Sequence, residues 1–171
     1  SGIAPTRSFR PPWRTTQTEN RWRCKLLKKG MIGIGVLLVL MQFWPVDRAA
    51  PPAEGEVQAP AEVMAVLEAS CYDCHSSETV WPWYSRVAPV SIWVGRHVSK
   101  GRSELDFSNW DAYPPQRMDH KLEEVIEKVE EGEMPLPSYL IMHGNARLDA
   151  SQKDLLMRWA EEVRAGLAQP E

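Results

Sequence analysis

Cysteine is scarce, at three in 171 residues. That excludes a disulfide framework and leaves no second pair for a four-ligand zinc site. Acidic residues are scarce in the first 45 positions, where Glu19 stands alone against Arg7, Arg10, Arg14, Arg21, Arg23, Lys25, Lys28 and Lys29, a balance of +7. The remainder of the chain carries -10. Long apolar runs are also lacking: the best is Met31 to Val46, sixteen residues without a charge. No convincing strand pair can be drawn, so helices must supply the fold. With 43% hydrophobic and 25% charged residues the chain is of ordinary globular composition, neither disordered nor fibrous.

What is present divides the chain into four parts. Residues 1–30 read as a basic N-terminal cytoplasmic arm, 31–46 as a transmembrane helix, 47–60 as a Pro/Ala-rich linker, and 61–168 as one small domain. A basic arm ahead of an apolar run is what the positive-inside rule expects of a cytoplasmic N-terminus, with the acidic portion across the membrane. Sixteen helical residues span about 24 Å, short of the roughly 30 Å hydrocarbon core, so Leu26, Leu27 and snorkelling lysines must supply the rest. A cleaved signal peptide is the competing reading. It is disfavoured by the long basic region and by Asp47 and Arg48, which occupy the place of a small-residue cleavage site. An uncleaved anchor in a bacterial inner (cytoplasmic) membrane, single-pass with a periplasmic domain, is therefore expected. The Pro/Arg-rich arm should not order alone in water, which points to a larger membrane complex as its partner. Nucleic acid is not expected, because no folded reading module accompanies the arm.

Two of the three cysteines fall in Cys71-Tyr72-Asp73-Cys74-His75, the C-x-x-C-H pattern of covalent haem attachment. Thiols three residues apart on one helical turn can reach the two vinyl groups of a porphyrin. The next residue then presents imidazole to the iron from the same side. A thioredoxin-like redox pair would want a βαβ context, and zinc would want more ligands. One haem c, held by Cys71 and Cys74 with His75 as proximal ligand, is the expectation. Cys24 reads as an ordinary free thiol.

The distal ligand decides between electron transfer and small-molecule chemistry. Met134 follows Gly132, which ends a helix, and precedes Pro135, which cannot continue one. Glu133 to Pro137 is then a stiff loop able to project a thioether. Met64 sits two turns before Cys71, on the proximal side. His143 is the alternative distal ligand, and Met118, Met142, His97 and His120 remain open; Met157 reads as core.

Four helices are read around this centre. They run from about Ala61 into the motif, from Val90 to Lys100 with a stop at Gly101, from Asp119 to Glu131, and onward from an Asp149 cap with Gln152 in the capping-box position. Their apolar stripes are Val63, Val66 and Leu67; Val90, Trp93, Val94 and His97; Leu122, Val125, Ile126 and Val129; and Leu155, Leu156, Trp159 and Val163. Trp81 to Tyr84 form a rigid aromatic turn that reads as packing against the porphyrin. The acids Glu123, Glu124, Glu127, Glu130 and Glu131 read as a solvated face.

The stretches CYDCHSSETVWPWYSRVAPVSIWV, GRSELDFSNW and GEMPLPSYLIMHGNARL, followed by the closing helix, run from about Glu62 to Ala165. They resemble the haem-binding domain family of bacterial c-type cytochromes. The resemblance implies a monohaem domain with Cys71, Cys74 and His75 in the roles above. A Met-Pro pair before a last helix is similar to class I cytochromes c, which supports Met134. The fold expected is all-α, a small cytochrome c-like helical haem domain following a single transmembrane helix. The function expected is that of an electron-transfer subunit, not itself an enzyme, of a respiratory or photosynthetic complex, with protein donors and acceptors. The alternatives are a haem sensor or peroxidase-like enzyme with an open axial position, and an assembly subunit.

Overall fold

The computed structural model describes residues 14–168, with side chains from residue 21 onward. The first thirteen residues of the expected arm, Arg7 and Arg10 among them, lie outside the described residues. The chain divides into two units at Pro45 and Val46.

In the first unit one helix, α1 (Arg14–Met41), runs through the rest of the basic arm into the apolar stretch. The arm is thus helical from Arg14, where an irregular segment is expected from its composition. The helix stops at Met41 because Pro45 cannot continue it and disfavours helical backbone at Trp44. Gln42, Phe43 and Trp44 instead close a turn on Val39, Leu40 and Met41. This corrects the expected transmembrane helix over 31–46. Its helical part, Met31 to Met41, is about 16 Å long, and any extension toward the N-terminus takes in Lys25, Lys28 and Lys29. Among the described residues no helix is long and apolar enough to cross a membrane. The apolar end of α1 is open all round, with Met31 at 72% and Leu40 at 60% exposure.

The second unit is all-α. It comprises α2 (Ala61–Ser70), α3 (Tyr72–His75), α4 (Val90–Glu104), α5 (Pro115–Glu130), α6 (Pro137–Leu140) and α7 (Ala150–Leu167). Short 3-10 turns at Trp83–Arg86, Trp110–Ala112 and Gly144–Ala146 link them. The core gathers Val63, Val66 and Leu67 of α2, Leu122 and Val129 of α5, and Leu156, Trp159 and Ala160 of α7 around Phe107 and Trp110. Three of the four expected stripes therefore face inward. Period-3.6 spacing of apolar side chains is enough to select those faces.

Three differences have identifiable causes. First, α5 begins at Pro115, because proline fits the first helical turn, where its missing N–H has no partner to lose. Second, α4 runs through Gly101 to Glu104 and buries Ser91, Gly95 and Val98 instead of the Val90, Trp93, Val94 and His97 stripe. Third, residues 54–60 are not a free linker. Val57 is 2% exposed, its N–H donates to the Phe107 carbonyl at 2.8 Å, and the Glu54 N–H donates to Asn109 Oδ1 at 2.9 Å. Backbone pairing makes a Pro/Ala-rich segment part of the domain when an extended neighbour offers unpaired groups.

Candidate functional site

Cys71 leaves helical geometry (φ -123°, ψ -37°), which ends α2 and starts the single turn of α3. The N–H groups of Cys74 and His75 both bond the Cys71 carbonyl, at 3.1 and 3.0 Å. Positions 71, 74 and 75 then share one side of the turn, while Tyr72 and Ser76 point into the core. Tyr72 stacks on Phe107 with centroids 5.9 Å apart and its hydroxyl donates to Glu56 at 3.1 Å. The residue between the cysteines thereby anchors the turn and leaves both thiols and the imidazole part-buried on its other side.

The segment after α4 holds His75 at two points. Its ring Nδ1 lies 3.0 Å from the Leu105 carbonyl oxygen, and its own carbonyl accepts the Phe107 N–H at 2.8 Å. A carbonyl can only accept, so this bond assigns the proton to Nδ1 and leaves the Nε2 lone pair for a metal. Burial lowers the His75 pKa, against the raising effect of the Leu105 bond, which favours the neutral ligand form. Neither Leu105 nor Phe107 is singled out by sequence reasoning, since a backbone carbonyl leaves no signature in residue type.

Burial pushes the Cys71 thiol up to about 12, with Cys74 adding to it, and pushes Cys74 up to about 11, with Asp73 adding and Arg102 opposing. Both are free thiols.

Gly101 brings α4 onto this turn. A Cβ there would lie 2.5 Å from the Cys74 carbonyl oxygen, so only glycine permits the approach. One residue on, Arg102 donates to the Ser76 carbonyl at 2.7 Å and to Thr79 Oγ1 at 2.7 Å. Thr79 in turn donates to the Asp73 carbonyl at 2.8 Å.

Two adjoining cavities of about 330 and 270 Å³ both have Cys71, His75, Met134 and Pro135 in their walls, and the second adds Cys74. Leu105, Phe107, Val125, Val129, Leu148 and Leu156 give the first its apolar lining. Met134 reaches it because Gly132 adopts left-handed backbone (φ +74°) after α5, and the Glu133 and Met134 N–H groups both return to the Lys128 carbonyl. His143 lines neither. It stacks on Tyr139 at 4.1 Å and lies 3.4 Å from the Tyr84 hydroxyl, beside a 430 Å³ cavity that shares Cys74, His97 and Tyr139 with the 270 Å³ one. The structure thus brings Cys71, Cys74, His75 and Met134 together, with His97 also on the wall of the 270 Å³ cavity, while His143 lines only the neighbouring one.

These residues fit a haem. The donor set is an imidazole nitrogen and a thioether, the 330 Å³ cavity has an apolar side rimmed by charged residues such as Lys100 and Glu104, and both thiols share the 270 Å³ cavity. Trp81, Trp83 and Tyr84 of the aromatic turn all line the 430 Å³ cavity, although Trp83 is 74% exposed and is not core. On α5, Glu124 accepts Lys121 at 2.6 Å and Glu131 pairs with Lys128, so the acidic face is partly neutralised by its own helix. Glu123 pairs instead with Arg164 of α7.

A family model described as a haem-binding domain matches residues 36–162, well over half of the chain. Neither a curated protein nor a solved structure matches it at a significant level.

Proposed function

The chain belongs to the haem-binding domain family, and from that premise we propose that it is a monohaem c-type cytochrome that transfers single electrons. Cys71 and Cys74 are the thioether attachments, His75 is the proximal ligand and Met134 the distal one. The observation that carries this reading is the presence of His75 and Met134 in the walls of the same two cavities, together with the Nδ1 bond to Leu105. When bound, haem supplies a one-electron iron couple. The chain's residues do the rest. Leu105 orients the imidazole and fixes its tautomer, Phe107 and its apolar neighbours exclude water, and Met134 would supply a thioether ligand to the iron. That second protein ligand would favour electron transfer over a sensor or peroxidase role.

Attachment at the bacterial inner membrane, on the exported side and within a larger complex, is the second part of the proposal. Its support is the exposed apolar end of α1, since a helix apolar all round is stable only when covered. That part needs no spanning helix. The decisive experiment is expression with a c-type haem maturation system, followed by denaturing electrophoresis with haem staining and intact mass. Haem that stays with the denatured chain, with a mass increase of one haem, is the expected result; haem extracted by acid and organic solvent overturns the assignment.

A further inference from the structure

Asp73 stands between the two cysteines, and its carboxylate is used at both oxygens. Oδ1 accepts the Val80 N–H at 2.9 Å, which pins the chain leaving the motif, and Oδ2 accepts the Tyr139 hydroxyl at 2.6 Å across 66 positions of sequence. Tyr139 belongs to α6, five residues after Met134. Pro135 and Pro137 fix φ at two of the intervening positions, so the stretch from Met134 to Tyr139 moves as a stiff piece. Among the described residues, no other side-chain hydrogen bond under 3 Å ties residues 134–143 to the motif turn. The other polar link, His143 to the Tyr84 hydroxyl, is 3.4 Å long and ends on the aromatic turn.

We propose that Asp73 and Tyr139 form a latch in which the motif turn, already carrying Cys74 and His75, also holds the distal loop, so that the Tyr139 bond sets whether Met134 stays on the iron. The latch rests on the reading of Met134 as the distal ligand. Charge assistance makes such a bond stronger than a neutral one. Opening it frees α6 and lets the thioether withdraw as one piece with the loop. No electrons move in this step, which is an exchange of axial ligands. Asp73 and Tyr139 are positioning residues, because neither reaches the iron itself.

The test uses the full, haem-loaded chain with imidazole as the incoming ligand to ferric iron. An external ligand binds only the open form, so its apparent affinity scales with the open fraction. Y139F removes one hydroxyl and leaves Cys71, Cys74 and His75 in place. It should tighten imidazole binding by about tenfold, the ratio that corresponds to about 1.4 kcal/mol, and weaken the red thioether-to-iron charge-transfer band. Haem stoichiometry should not change. D73N keeps the size of the side chain and one acceptor, and should fall between Y139F and the unmodified protein. Unchanged imidazole affinity and an unchanged band in Y139F overturn the latch if M134A alters both. If M134A also alters neither, the Met134 reading fails and the latch fails with it.

Discussion

The Leu105 carbonyl oxygen lies 3.0 Å from Nδ1 of His75, and two residues later the Phe107 N–H donates to the His75 carbonyl. One short segment thus aims the imidazole and fixes the backbone beneath it. Phe107, 1% exposed, also stacks on Tyr72 of the motif, so core packing and ligand orientation are parts of one arrangement. A histidine held this way is preorganised to offer Nε2, which would lower the ordering cost of ligation.

The two thiols differ in their surroundings, and that gives a prediction. Cys71 is the more strongly raised, and burial dominates both. C71A and C74A should each keep haem through one thioether. The double variant should lose all covalent haem, read as loss of haem stain and of the mass increment. Retained covalent haem in the double variant would contradict the assignment.

Gly101 supplies a prediction of sign. In an ordinary helix interior, glycine to alanine stabilises by about 1 kcal/mol. Here the new Cβ would meet the Cys74 carbonyl oxygen at 2.5 Å. G101A should therefore destabilise, by about 1–3 kcal/mol as overpacking does, in denaturant unfolding followed by circular dichroism. A gain in stability would show that α4 need not approach the motif turn so closely.

The start of α7 tests a local device. Asp149 accepts the Gln152 N–H at 2.9 Å while the Gln152 side chain accepts the Asp149 N–H at 3.0 Å, a complete capping box. D149A should cost about 1 kcal/mol and lower the melting temperature by about 4 °C. D149S keeps an acceptor and should restore most of the loss.

Features of this kind were the legible ones. The cap on α7, the amphipathic face of α5 and the Gly132 exit before Met134 each depend on residues a few positions apart. So does the C-x-x-C-H spacing. What stayed hidden depends on partners distant in sequence. Gly101 carries the same letter whether it ends a helix or admits a neighbour, and only the position of Cys74 decides between the two. Val57 lies in a proline-rich stretch whose composition says tether, yet the free backbone of Phe107 binds it to the domain. The α4 stripe followed the period but faced the 430 Å³ cavity rather than the core. The end of α1 turned on Pro45, which sits inside the apolar run and shortens its helical part.

The distal ligand separates the readings most sharply. Met134 shares both cavities with His75, and His143 shares neither. Thioether ligation favours ferrous iron, so M134A should lower the reduction potential, by on the order of 0.1 V within the range that axial ligands command. It should also abolish the red charge-transfer band of the ferric form and let ferrous iron bind carbon monoxide readily. H143A should leave the band and the potential as they are, because its imidazole stacks on Tyr139 away from both cavities. The reverse pattern, an unchanged M134A and an H143A that binds carbon monoxide, would move the distal position to His143. It would also require the loop after α6 to travel toward His75, against the stacking that now holds it on Tyr139.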